Sequence, residues 1–111
     1  MKRNIKIIVE YDGTNYGGWQ RQKNSPSIQE EVEKGLFKLT GKKILVQGAG
    51  RTDSGVHARG QVANFFTDSL IPPHRFSLAL NAVLPRDIRV VESREVEAAF
   101  HARFCAKARH Y

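Results

Sequence analysis

The spacing of apolar residues changes period several times along this chain, and the order of those changes restricts the fold more than any other feature. Ile5, Ile7, Val9 and Tyr11 alternate with polar or opposite-face residues, the period of a strand. Asp12-Gly13 ends it as a turn, and a glycine-rich stretch from Gly13 to Gly18 follows. Ile28, Val32, Leu36 and Leu39 then recur every three or four residues, which predicts a helix. Ser27 and Glu30 have capping-box spacing with Pro26 just ahead, and Gly41 is expected to stop the helix after Thr40. The other face of this helix carries Glu30, Glu31, Glu33, Lys34 and Lys38 and reads as solvated.

Ile44-Leu45-Val46 begins a second strand, and Gln61 to Phe66 form a third. Pro72-Pro73 opens a second helix with Phe76, Ala79, Leu80 and Val83 on one side, and Pro85 ends it. Ile88, Val90 and Val91 read as a fourth strand, and Phe104, Ala106 and Ala108 as the start of a fifth, cut off at Tyr111. The order β-α-β-β-α-β predicts a ferredoxin-like α+β layer, with the helices on one face of an antiparallel sheet. The free face of such a sheet is a frequent platform for RNA. A domain rarely stops in mid-strand, so the chain is expected to be a truncated one.

The 111 residues fit one domain, and 41% hydrophobic with 26% charged residues is a globular mixture. A single cysteine, Cys105, excludes an internal disulfide framework and a multi-cysteine zinc site. Apolar runs are as short as Ile7-Ile8-Val9, and Met1-Lys2-Arg3 is not followed by a signal-peptide stretch, so a cytoplasmic protein without a membrane span is expected. Eighteen Lys plus Arg against eleven Asp plus Glu leave a net charge of +7. That excess points to a polyanionic partner, nucleic acid being the commonest, although basic domains also occur whose charge is incidental.

The polar stretch Gly48 to His57 is the most unusual segment. Between Lys42 and Thr67 stand four basic residues, Lys42, Lys43, Arg51 and Arg59, and one acid, Asp53. Basic neighbours favour the ionised form of a lone carboxylate. Arg51 and Asp53 are two apart and point the same way on an extended backbone. An ionised carboxylate in a cationic cleft is a candidate nucleophile or base towards a nucleotide. Asp53-Ser54-Gly55 also fits an ordinary turn in which the aspartate bonds nearby amides. His57 has two readings as well, an acid/base or phosphate contact, or a loop histidine bonded to a backbone carbonyl. Trp19, beside Gln20, Arg21 and Gln22, either stacks on RNA or fills the core next to the first helix.

The remaining histidines, His74, His101 and His110, lack metal-ligand spacing, and Gly13 to Gly18 matches neither the phosphate-loop nor the dinucleotide fingerprint. No metal and no cofactor are therefore expected. From Ala98 onward the chain has Arg103, Lys107 and Arg109 and no acid. On a strand these share a face with Tyr111, a plausible base-stacking strip.

Four blocks together resemble the N-terminal half of the tRNA pseudouridine synthase A family. They are Tyr11-Asp12-Gly13 through Gly18-Trp19-Gln20-Arg21-Gln22, then Gly48-Ala49-Gly50-Arg51-Thr52-Asp53-Ser54-Gly55-Val56-His57-Ala58, Phe100-His101-Ala102-Arg103-Phe104, and Ala108-Arg109-His110-Tyr111. Gly60 to Phe65 extends the second, and the specificity of that block favours a site over a plain turn. The resemblance implies that Asp53 is the catalytic aspartate and Arg51 the arginine that helps hold the target nucleotide out of the RNA stack. Tyr111 would stack on the flipped uracil, with His57, Arg103 and Arg109 among the substrate contacts. It further implies a tRNA substrate, with uridines of the anticodon arm around positions 38 to 40 as targets. No cofactor is implied, and the full-length protein is expected to be a cytoplasmic homodimer with a second, similar half. A non-catalytic RNA-binding module on the same sheet is the alternative.

Overall fold

The computed structural model describes residues 2–12, 19, 27–48 and 58–101. In chain order they form β1 (Arg3–Tyr11), α1 (Ile28–Thr40), β2 (Gln47–Gly48), β3 (Ala58–Thr67), a 3₁₀ turn (Pro73–Arg75), α2 (Phe76–Asn81) and β4 (Ile88–Val96). The four strands make one sheet in the order β2-β3-β1-β4, every neighbouring pair antiparallel. The fold is α+β, as the periodicities predict. The expected fifth strand falls outside the described residues.

Ile5, Ile7, Val9 and Tyr11 are all buried on one face of β1. Ile28, Val32 and Leu36 of α1 and Phe76 and Leu80 of α2 join them in one core. Both helices therefore cover the same side of the sheet. Phe65 of β3 meets Phe76 edge-on, with ring centroids 5.3 Å apart. That geometry suits the aromatic quadrupole and adds to the area each ring buries.

The first helix has its expected ends. The Ser27 hydroxyl accepts the Glu30 N–H at 3.2 Å, and Gly41 closes the helix at φ 73°, donating its N–H to the Phe37 carbonyl. Glu33 departs from the expected solvated face. It is 8% exposed, and its Oε2 accepts the N–H of Val46 at 2.9 Å. Gln29 completes the arrangement by donating its Nε2 to the Val46 carbonyl at 2.9 Å.

This pairing explains a second difference. Ile44 and Val46 are buried and Leu45 is exposed, the expected alternation, yet the ladder begins only at Gln47. Both backbone groups of Val46 have gone to side chains of the helix instead of a neighbouring strand.

The second helix is shorter than its pattern predicts. It ends at Asn81 rather than at Pro85, and the chain tightens there, with the N–H groups of Val83 and Leu84 both bonding the Leu80 carbonyl. In β4, Val91 is 51% exposed rather than part of the core. Ile8 lies opposite Glu92 and Val9 opposite Val90, so Val91 is the extra residue of a β-bulge. A bulge breaks the alternation that a sequence pattern assumes.

Candidate active-site frame

At the end of β1, Tyr11 lies opposite Ala58 of β3 on one side and Ile88 of β4 on the other. The Asp12 N–H continues the contact by bonding the Asp87 carbonyl at 2.9 Å. Two of the sequence blocks singled out above enter or leave the sheet at this end: the one that starts at Tyr11, and the one that rejoins at Ala58.

Trp19 ties them together. It is 2% exposed, and its ring centroid lies 6.1 Å from that of Tyr11. Its carbonyl accepts the N–H of Gln29 at 2.9 Å. The indole edge sits so close to Gly48 that a Cβ there would be 2.1 Å from the indole nitrogen. Only glycine leaves room for that approach. Of the two readings of Trp19, core filling is the one seen. Its function is to fix the stem of the segment carrying Arg51, Asp53 and His57 against the start of α1.

The sheet face away from the helices is built differently. Asn4, Lys6 and Ile8 of β1 lie there, facing Phe66, Asn64 and Val62 of β3 and Val96, Arg94 and Glu92 of β4. Asn64 donates its Nδ2 to Asn4 Oδ1 at 3.0 Å and to Gln47 Oε1 at 3.2 Å. Asn4 in turn donates its Nδ2 to the carbonyls of Glu97 at 3.0 Å and Phe100 at 2.9 Å. The chain leaving β4 is thereby folded back over this face, with Lys6 Nζ 6.0 Å from the centre of the Phe100 ring. Lys6 and Arg94 are directly opposed across the strands. Like charges so placed repel, and an anion between them would relieve that repulsion.

The residues singled out from sequence, Arg51, Asp53, His57, Arg103, Arg109 and Tyr111, lie outside the described residues, and their mutual geometry is not part of this frame. What the structure adds is a supporting role for residues to which the sequence assigns none: Gln29, Glu33, Asn4 and Asn64. Only the spacing of Asn4 and Asn64 on the polar side of two strands hints at them. Among the described residues no three His, Cys, Asp or Glu side chains gather as a metal site. No described helix is long and apolar enough to cross a membrane.

An α+β sheet with a polar open face, whose β2 runs on in sequence into the glycine-bounded segment that carries Arg51 and Asp53, is a frame suited to an enzyme of nucleic-acid chemistry. Residues 7–105 match the model of the tRNA pseudouridine synthase family, and the chain belongs to that family. It is 58% identical over 109 residues to tRNA pseudouridine synthase A of Acetivibrio thermocellus, and 54% identical over 109 residues to those of Thermoanaerobacter sp. and Clostridium acetobutylicum. Each alignment covers 98% of this chain and 45% of the relative, so the chain spans less than half the length of these relatives.

Proposed function

We propose that this chain is the N-terminal, aspartate-bearing half of an enzyme that isomerises uridine to pseudouridine in tRNA, at uridines of the anticodon arm around positions 38 to 40. The observation that carries this reading is the family match over residues 7–105, which contains Gly48 to Ala58 in full.

The reaction breaks the bond from uracil N1 to the ribose anomeric carbon, turns the base and rejoins it through C5. Asp53 is the catalytic residue. By one route its carboxylate attacks the anomeric carbon, as in a retaining glycosidase, and leaves again when C5 attacks. By the other it takes a ribose proton and the sugar passes through a glycal. Both need the carboxylate ionised, which the neighbouring Arg51 favours. Neither route transfers electrons to a redox group. The target base must leave its stack at a cost of a few kcal/mol, and stacking on Tyr111 offsets part of that. Arg51, His57, Arg103 and Arg109 hold the phosphates and the flipped nucleotide. The net charge of +7 supports RNA binding. The working protein is a cytoplasmic homodimer whose second half completes the cleft.

The test is Asp53→Asn in the full-length protein, assayed for pseudouridine formation on a tRNA transcript and for tRNA binding. The expected result is loss of turnover by a factor of at least about 10³, with binding kept within about threefold. Turnover near wild type would remove Asp53 from the chemistry. A chain that binds tRNA equally well in both forms and turns over in neither would be a binding module.

A further inference from the structure

The amide chain on the open face joins the stems of the two segments that carry the proposed site residues. Gln47 stands at the strand position from which the chain runs on to Arg51 and Asp53. Phe100 lies just ahead of Arg103 and, further on, Tyr111. Between these stems lie two buried amides, Asn64 and Asn4, linked by one hydrogen bond. All four side-chain N–H bonds of the pair have acceptors: Asn4 Oδ1, Gln47 Oε1, and the carbonyls of Glu97 and Phe100.

The sheet does not need this chain to hold together. β1 and β4 are already paired as far as Val96, opposite Asn4, and β3 is paired with both of its neighbours. Past Val96 the ladder ends, and the backbone from Glu97 to Phe100 makes a turn closed by the Phe100 N–H on the Glu97 carbonyl at 3.0 Å. Asn4 grips both carbonyls that flank this turn. Hydrogen bonds fix direction where apolar contact fixes only proximity.

We propose that Asn4 and Asn64 are positioning residues, whose joined amides set the direction in which the chain leaves β4 relative to the β2–β3 pair, and so align the two halves of the reacting site. This rests on the functional reading above. The residues touch no substrate in this role. They act through the turn at Glu97–Phe100.

The experiment uses the full-length protein and compares wild type, Asn4→Leu, and the double variant Asn4→Leu/Asn64→Leu. Three quantities are read: kcat and KM for pseudouridine formation, the thermal midpoint, and hydrogen exchange of the amides of residues 98–101. Asn4→Leu is expected to lower kcat about tenfold with KM changed less than about twofold, since misalignment of reacting groups costs rate rather than binding. Exchange at 98–101 should rise. The double variant also removes the Asn64 amide that Asn4→Leu strands, but the Glu97 and Phe100 carbonyls still lack their donor, so it should regain only part of the lost thermal midpoint, while kcat stays low and exchange stays fast. Recovery of kcat together with stability would overturn the proposal, because the amides would then be serving the fold alone. Unchanged exchange at 98–101 in Asn4→Leu would overturn it too. Should wild type form no pseudouridine, the functional reading fails by itself, and the exchange data still decide whether the amides direct the turn.

Discussion

Phe65 and Phe66 are neighbours in sequence and differ sharply in surroundings. Phe65 is fully buried between the sheet and α2, whereas Phe66 is 37% exposed on the opposite face. The two faces of the sheet are held by different forces. The helix side is an apolar core in which any well-shaped hydrophobe serves, and its strength comes from area removed from water. The open side is held by side-chain amides bonded to each other and to backbone carbonyls. The first kind of face makes the domain stable. The second places a segment of chain, and in this protein that segment leads into residues of the proposed site.

The contrast makes predictions in order of size. Phe65→Ala should cost about 3–5 kcal/mol in chemical denaturation, the usual cost of a cavity at a buried aromatic. Phe66→Ala should cost about 1 kcal/mol, since much less area leaves a dry environment. Equal losses would break the contrast between the faces. Glu33→Ala leaves the buried Val46 N–H without its acceptor and should cost about 1–3 kcal/mol. Glu33→Gln keeps an acceptor oxygen and should recover most of that, which would show that the hydrogen bond and not the charge is what matters.

The smallest effect is expected at Lys42, whose Nζ lies 2.7 Å from Asp68 at the exposed rim. The hydrogen bond from Lys42, and then its charge, hold the Asp68 carboxyl below its ordinary 3.8. A carboxyl depressed in the folded state stabilises above the unfolded value and loses that contribution as pH falls through the folded one. That contribution is present at pH 7 but small for so exposed a pair, so Lys42→Ala should lower the thermal midpoint there only slightly. The drop in midpoint on acidification below pH 4 should be slightly shallower than in wild type.

The buried stripe of β1 and both ends of α1 could be read from the sequence, because period and capping chemistry are local properties. Ser27, Glu30 and Gly41 announce a helix whatever surrounds it. The misreading at Val46 has a clear cause, a backbone group satisfied by a partner distant in sequence. Val46 looks like the middle of a strand, but its N–H and C=O are bound by Glu33 and Gln29, 13 and 17 residues away. Glu33 reads as solvated for the same reason. Val91 has the residue type of a core strand, but buried Val90 beside it leaves Val91 on the outward side, and the bulge opposite Ile8 and Val9 keeps Glu92 outward too and brings Ser93 into the core. At the candidate site, the motif singles out the glycine-bounded segment with Arg51 and Asp53, which lies outside the described residues. The pairing of its supports is not legible in the sequence, since nothing local joins Asn64 to a partner 60 residues away.

The bulge in β4 has a consequence for how the molecule meets copies of itself. Among the described residues β4 is the last strand in the sheet order, and such a border is where another chain could add a strand and seed fibrils. Here the side-chain amide of Asn81 occupies the N–H and carbonyl of Val90 at 2.7 and 2.9 Å, next to the kink at Val91. Charged Arg89, Glu92, Arg94 and Glu95 line the rest. A flat hydrogen-bonding template is thus replaced by a bent, charged margin already filled at Val90, which disfavours growth of the sheet from that side.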